Sequence, residues 1–315
     1  MRFASLGRVV GRMWKGRDVI TTREFTRKDI EDVLRLSERM EKISRGKKHL
    51  PLLKGKVLAT LFFEPSTRTM FSFQTAMLRL GGAVIGTAEP KSTSAAKGET
   101  LWDMMKLVHE CSDAIVMRHP NEGSARRAAE SSDVPFINAG DGSNQHPTQA
   151  LLDLYTIKQQ KKRIDGLNVL LLGDLKYGRT VHSLAYALSQ FEDVTITLHS
   201  PAQLRFPAWM YAELKESVKI REIPSLDLSN ADVVYATRIQ KERFADPTEY
   251  AQSAYVLDAE KVATMKEDAI IMHPLPRVDE IATEVDADKR AKYFRQEANG
   301  IAVRMALLSL VMTGR

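Results

Sequence analysis

The run Phe62-Phe63-Glu64-Pro65-Ser66-Thr67-Arg68-Thr69 places three hydroxyls around one arginine, directly after the apolar stretch Val57 to Phe63. That grouping suits an anion. Short hydroxyl side chains at a helix start can accept from its exposed N–H groups, so Ser66 and Thr67 stand where an N-cap belongs. The free N–H groups and the helix dipole attract negative charge. Arg68 adds a planar fork that matches phosphate oxygens. The run lacks the Gly-x-x-x-x-Gly-Lys-Ser/Thr pattern of a nucleotide loop, so a small phosphorylated ligand fits better than a nucleotide. The plain alternative is a helix cap beside a surface arginine.

Other polar groupings lie at similar places. Arg118-His119-Pro120 follows the apolar run Ala114 to Met117, and Gly142-Ser143-Asn144-Gln145-His146-Pro147-Thr148-Gln149 follows Val134 to Asn138. Arg179 comes after Asn168 to Gly173, Arg238, Gln240 and Arg243 after Ala231 to Ala236, and His273-Pro274-Leu275-Pro276-Arg277 after Ala269 to Met272. Lys97 stands at a helix start, where a cation is electrostatically disfavoured. A solvated lysine is the plain reading; contact with an anion elsewhere is the other.

The elements that must position these groups alternate. Helix-spaced apolar residues mark Thr26 to Ile43 (opened by a Thr26/Asp29 capping pair), the stretch from Met70 to Leu80, Pro147 to Gln160 and a final helix from Gly300 to Met312. Apolar runs near 57–63, 83–88, 114–117, 134–138, 168–173, 194–199, 218–223, 231–236 and 269–272 read as strands. Strands alternating with helices predict an α/β protein with parallel sheets and right-handed crossovers. In such sheets ligands gather at the carboxyl ends of the strands, where every grouping above falls.

At 315 residues the chain exceeds the ~250–300 at which single cores split, so two domains are expected. One cysteine, Cys111, excludes an internal disulfide framework and a cysteine-based metal cluster, and suits a cytoplasmic location. No apolar run approaches the ~20 residues of a membrane span. The net charge of +6 is spread among alternating acids and bases, with no RNP-like aromatic stripe, which argues for an anionic small substrate over nucleic acid. Residues 1–16 form a basic arm, read as frayed.

Taken together and in order, the motifs around Ser66, Arg118, His146, Arg179, Arg238 and Leu275 closely resemble the catalytic chains of the aspartate carbamoyltransferase family, from about residue 18 to the end. The resemblance implies two Rossmann-like domains with parallel sheets, joined by interdomain helices: a carbamoyl-phosphate domain (17–150), an aspartate domain (151–290), and a C-terminal helix (291–315) packed back on the first. It implies transfer of the carbamoyl group of carbamoyl phosphate to the aspartate α-amine, in de novo pyrimidine synthesis, by direct attack without a covalent intermediate.

Site roles follow from the same resemblance. Ser66, Thr67, Arg68 and Thr69 hold phosphate, and Gln149 lies near the carbamoyl amine. Thr69, Arg118 and His146 point at the carbonyl oxygen, and the carbonyls of Leu275 and Pro276, across a cis bond, orient the amine and the carbamoyl NH₂. Arg179, Arg238 and Gln240 hold aspartate. Ser94 and Lys97 belong to a loop that reaches a neighbour's site in a homotrimer, where Lys97 helps to hold aspartate, and Glu64 bridges to Arg179 and Arg243 on domain closure. No cofactor or metal is implied, though separate zinc-containing regulatory chains are a possible partner. Ornithine carbamoyltransferases share the Ser-Thr-Arg-Thr turn but carry His-Cys-Leu-Pro where this chain has His273-Pro274-Leu275-Pro276. Three other readings stay open: a carbamoyltransferase for another amino acid, an inactive ligand-binding relative, and a nucleotide-binding oxidoreductase.

Overall fold

The computed structural model describes residues 14–46, 48–88, 97–240, 244 and 256–314. Two parallel sheets organise it. The first runs β2-β1-β3-β4, from β1 (Val57–Phe62), β2 (Ala83–Thr87), β3 (Ala114–His119) and β4 (Phe136–Asp141). The second runs β7-β6-β5-β8-β9, from β5 (Asn168–Leu172), β6 (Thr195–His199), β7 (Lys219–Glu222), β8 (Val233–Ala236) and β9 (Ile270–Met272). The inner strands are near-continuous apolar runs because helices cover both faces of a parallel sheet. The edge strands β2 and β7 are mostly exposed.

Strand order fixes where a ligand can sit. From β1 the chain moves to β2 on one side and to β3 on the other, so the order reverses between β1 and β3. From β5 it moves to β6 on one side and to β8 on the other. At each reversal the crossover helices leave on opposite sides and open a crevice beyond the strand ends. Ser66 follows β1, and Arg179 and Arg238 follow β5 and β8; Arg118 is the penultimate residue of β3, which runs past its expected end at Met117 because it pairs with β1 at Phe62 and with β4 at Asp141.

Helices cover and join the sheets. Helix α1 (Arg27–Arg45) has the expected capping box, with Thr26 and Asp29 exchanging hydrogen bonds. Helix α2 (Thr67–Arg79) follows β1; α3 (Leu101–Val108) and α4 (Ser124–Ala129) flank β3. Helix α5 (Pro147–Lys161), buried along most of its length, carries the chain from one sheet to the other. Helices α6 (Arg179–Leu188), α7 (Ala208–Lys215) and α8 (Ala259–Ala263) belong to the second half. The last helix, α9 (Tyr293–Thr313), returns to pack on α1, α2 and α5.

Three expectations change. The final helix starts at Tyr293, not Gly300, and Gly300 lies inside it. A Cβ there would sit 2.4 Å from Nη1 of Arg304, so the glycine makes room for a buried guanidinium. The strand placed at Val134 to Asn138 runs instead from Phe136 to Asp141, because its pairing with β3 starts at Phe136 opposite Ile115 and continues to Asp141 opposite His119; Val19 pairs on its other side, its N–H donating to Phe136 O and Asn138 N–H to Val19 O. The basic arm does not extend to residue 16. Trp14 is buried, Gly16 N–H donates to Val311 O, and Arg17 stacks 4.8 Å over Trp14.

Candidate active site

Three helix N-termini converge on one cleft of about 350 Å³. Its lining includes Ser66, Thr67, Arg68 and Thr69 at the start of α2, His146 and Gln149 at the start of α5, and Gly178, Arg179 and Thr180 at the start of α6. Each terminus contributes the positive end of a dipole and N–H groups without helical partners. Among the described residues four guanidinium groups line the cleft (Arg68, Arg118, Arg179 and Arg238), against one carboxylate, Glu297. That balance suits two anionic ligands better than one.

Ser66 holds the N-cap position of α2 but makes no capping hydrogen bond. The expected capping bond is not made, and Ser66 lines the cleft. Thr69 is buried while Arg68 is more exposed, its Nε 3.9 Å from Glu297 Oε1. His146, at the N-cap position of α5, is fixed by its own backbone N–H donating to Ser183 Oγ at 2.8 Å. Burial, aided by Arg179, Arg118 and Arg304, pushes its pKa well below 6.5. The ring is therefore neutral at physiological pH.

Arg179 belongs to the second half but reaches into the first. Its guanidinium donates to Gly142 O and to Glu64 Oε2, both at 2.8 Å. Gly140 allows this passage: a Cβ there would meet Arg179 Cζ at 2.9 Å. Arg118 Nε lies 2.9 Å from the same Glu64 oxygen. Glu64 thus ties the β1 and β3 ends to α6. Across the cleft, Asp174 receives N–H bonds from Tyr177 and Gln240, and Gln240 Nε2 donates to Tyr177 O. These bonds hold the loops after β5 and β8 side by side.

The fourth wall is His273-Pro274-Leu275-Pro276. The Leu275-Pro276 bond is cis, and Leu275 has φ of 50°. A leucine in the left-handed region costs energy and persists only when its surroundings enforce it. Leu275 N–H donates to His273 Nδ1 at 2.8 Å, and His273 Nε2 lies 2.6 Å from Glu280 Oε1. Both residues of that pair are buried.

The cleft therefore gathers Ser66, Thr67, Arg68, Thr69, Arg118, His146, Gln149, Arg179, Arg238, Gln240, Leu275 and Pro276. Glu64 stands directly behind it. Lys97 is exposed and is not among the lining residues of its own chain. Ser94 and Arg243 lie outside the described residues. Sequence reasoning missed Glu297, His273, Asp153 and Arg304. Arg304 is fully buried behind the cleft, 5.1 Å over the Phe73 ring, with Nε and Nη1 lacking hydrogen-bond partners among the described residues. Burial pulls its pKa down to about 10, so it still carries charge. Only the His-Pro-Leu-Pro motif offered a signal for His273; Asp153 and Arg304 sit in apolar helical patterns that conceal them, and Glu297 lies in a polar run ahead of the expected start of the last helix. Among the described residues no group of three or more His, Cys, Asp or Glu could hold a metal, and no helix is long and apolar enough to cross a membrane.

The chain is similar over most of its length to proteins of one family. Residues 17–159 match the aspartate/ornithine carbamoyltransferase carbamoyl-P binding domain, and residues 165–311 the Asp/Orn binding domain. The aspartate carbamoyltransferase catalytic subunit of Thermococcus onnurineus is 57% identical over 95% of this chain and 98% of its own. The crystal structure of Trypanosoma cruzi aspartate transcarbamoylase in complex with carbamoyl phosphate and aspartate is 39% identical, with a TM-score of 0.91 over 95% of this chain and 98% of that one. The catalytic subunit of M. Jannaschii aspartate transcarbamoylase is 52% identical, with a TM-score of 0.85 over 93% and 97%. With both domain models matched in order and the cleft formed where they meet, the chain belongs to the aspartate/ornithine carbamoyltransferase family.

Proposed function

We propose that the cleft is the active site of an aspartate carbamoyltransferase, which transfers the carbamoyl group of carbamoyl phosphate to the α-amine of L-aspartate. The observation that carries this reading is one cleft lined from both sheets: a Ser-Thr-Arg-Thr helix start faces Arg179, Arg238 and Gln240, with Arg118 and His146 also in the lining. A cationic ornithine side chain would meet repulsion from those arginines, whereas the second carboxylate of aspartate is attracted. In an assay with carbamoyl phosphate, aspartate is expected to be used at least about 10³-fold better than ornithine, since an unpaired buried charge rejects a mismatched substrate strongly. Equal use of both would overturn the assignment.

In the reaction as we read it, Ser66, Thr67, Arg68 and Thr69 bind the phosphate. Thr69, Arg118 and the neutral His146 donate to the carbonyl oxygen as it gains charge. Gln149 and the carbonyls of Leu275 and Pro276 accept from the carbamoyl NH₂ and align the attacking amine. Arg179, Arg238 and Gln240 hold aspartate. The amine attacks the carbonyl carbon to form the C–N bond, the C–O bond to phosphate breaks, and the amine proton passes to the departing phosphate. Orientation of two bound reactants supplies ~7–11 kcal/mol. Each preorganised donor at the developing oxyanion adds ~3–4 kcal/mol. Those sums suffice without a covalent enzyme intermediate.

Glu64 is assigned to domain closure, on the support of its contacts with Arg118 and Arg179. Glu64→Ala is expected to lower turnover about tenfold and to raise the aspartate KM, because the two halves lose a shared carboxylate. Unchanged steady-state constants would remove that role. We place residues 17–150 with carbamoyl phosphate and 151–290 with aspartate, α5 being shared between them. The exposure of Lys97 supports its action, with Ser94, in a neighbour's site within a homotrimer. Relatives named as catalytic subunits favour an assembly with separate regulatory chains, which the mass of the native complex would reveal. An exposed, free Cys111 fits a reducing cytoplasm.

A further inference from the structure

A buried hydrogen-bond chain runs beneath the cleft. It starts at Gln149 on α5, whose Nε2 donates to Asp153 Oδ1 at 3.0 Å. Gln296 on α9 donates its own Nε2 to the same oxygen at 2.7 Å. The hydroxyl of Tyr235 on β8 donates to Asp153 Oδ2 at 2.8 Å. Gln296 Oε1 in turn accepts from His273 N–H at 2.9 Å, and His273 Nδ1 accepts from Leu275 N–H. Asp153, Gln296 and Tyr235 have no exposed surface.

Burial pushes the Asp153 pKa up to about 7, and the three donors oppose that shift by favouring its charged form, in which it is the acceptor of every bond observed. An ionised carboxylate only accepts. Both glutamines must therefore turn their NH₂ groups towards Asp153. For Gln296 this leaves Oε1 for the His273 backbone, which agrees with the bond observed. For Gln149 it leaves Oε1 for the cleft that the residue lines. A buried carboxylate with three donors is costly to build into a core, and all three are used.

We propose that Asp153 is a positioning residue for carbamoyl recognition: it holds the Gln149 amide so that an acceptor, not a donor, faces the substrate NH₂. This inference rests on the reading of Gln149 as the partner of the carbamoyl amine. Through Gln296 and His273 the same carboxylate is linked to the Leu275 turn, so the acceptors assigned to that NH₂ in the two halves of the molecule share one buried anchor.

Asp153→Asn tests it. The new amide can donate, so Gln149 gains a stable flipped state with its NH₂ facing the cleft. A donor there opposes the carbamoyl NH₂ but is indifferent to a methyl group. The probes are carbamoyl phosphate, acetyl phosphate, which carries methyl in place of NH₂, and inorganic phosphate. In the full-length enzyme as assembled, Asp153→Asn is expected to raise the carbamoyl phosphate KM at least about tenfold. The inhibition constants of acetyl phosphate and inorganic phosphate should move less than about twofold. Tyr235→Phe removes a donor from the other oxygen and should keep the wild-type preference. In a Gln149→Ala background, Asp153→Asn should cost no further selectivity. Equal weakening of all three ligands, the same selective loss in Tyr235→Phe, or an undiminished effect without Gln149 each overturns the proposal. If Asp153→Asn does not fold, neutron diffraction of the wild type decides: deuterons of the Gln149 amide facing Asp153 support it, and deuterons facing the cleft refute it. Failure of the wild type to carbamoylate aspartate would instead defeat the underlying functional reading.

Discussion

Arg68→Ala is expected to lower kcat/KM for carbamoyl phosphate by about three orders of magnitude, while His146→Asn retains measurable turnover, reduced about 10–100-fold. The difference follows from what each group supplies. Arg68 is the guanidinium within the helix start that we assign to phosphate, and its planar charged fork matches the phosphate oxygens. The phosphate leaves with charge accumulating on it, so lost stabilisation appears in kcat as well as KM. His146 is buried with arginines around it, which keeps its ring uncharged. A neutral donor can be replaced in part by an asparagine NH₂.

The sign of the pH effect follows from the same depression. Because His146 stays neutral while an unfolded histidine would protonate near 6.5, its burial costs stability only as pH falls below that value. Above it, no titration of His146 should shape the rate. Wild type and His146→Asn should then show pH–rate profiles of the same form between about pH 7 and 9. A limb present in the wild type and lost in the variant would make His146 a general base. Equal and total inactivation of Arg68→Ala and His146→Asn would also defeat the assignment.

The second large effect is expected at Arg238. Arg238→Ala should raise the aspartate KM by about 10–100-fold, the loss of a charge-assisted hydrogen bond, and leave the carbamoyl phosphate KM within about twofold. The separation is structural. Arg238 follows β8, at the reversal point of the second sheet, whereas the phosphate-binding turn follows β1 at the reversal of the first. Initial-rate measurements varying each substrate in turn distinguish the two. A comparable rise in both KM values would mean that Arg238 shapes the whole cleft rather than one ligand.

Much of this was legible in the chain itself. Near-continuous apolar runs, each followed by a polar turn and a helix-spaced segment, determine parallel α/β halves, because only a strand covered on both faces buries such a run. The same pattern places Ser66, Arg179 and Arg238 beyond strand ends and Arg118 at one. The extent of the last helix was not legible: Gly300 reads as a break until Arg304 is seen filling the space that its missing side chain leaves. Trp14 likewise looked part of a loose arm, because burial against Arg17 and Phe25 depends on contacts that its basic neighbours conceal.

By itself, then, the sequence determined the anion chemistry and the elements that carry it. Tertiary structure alone decided which groups act together. The Ser66 side chain was free to be a cap, and only the fold showed that it makes no capping bond. Glu64 and Arg179 are far apart in the chain and meet because the β1 end and the α6 start face each other across the cleft. Asp153 reads as an ordinary polar residue in a helix. It becomes an anchor only when α5, β8 and α9 enclose it, since the direction of its hydrogen bonds comes from three elements that sequence spacing does not relate.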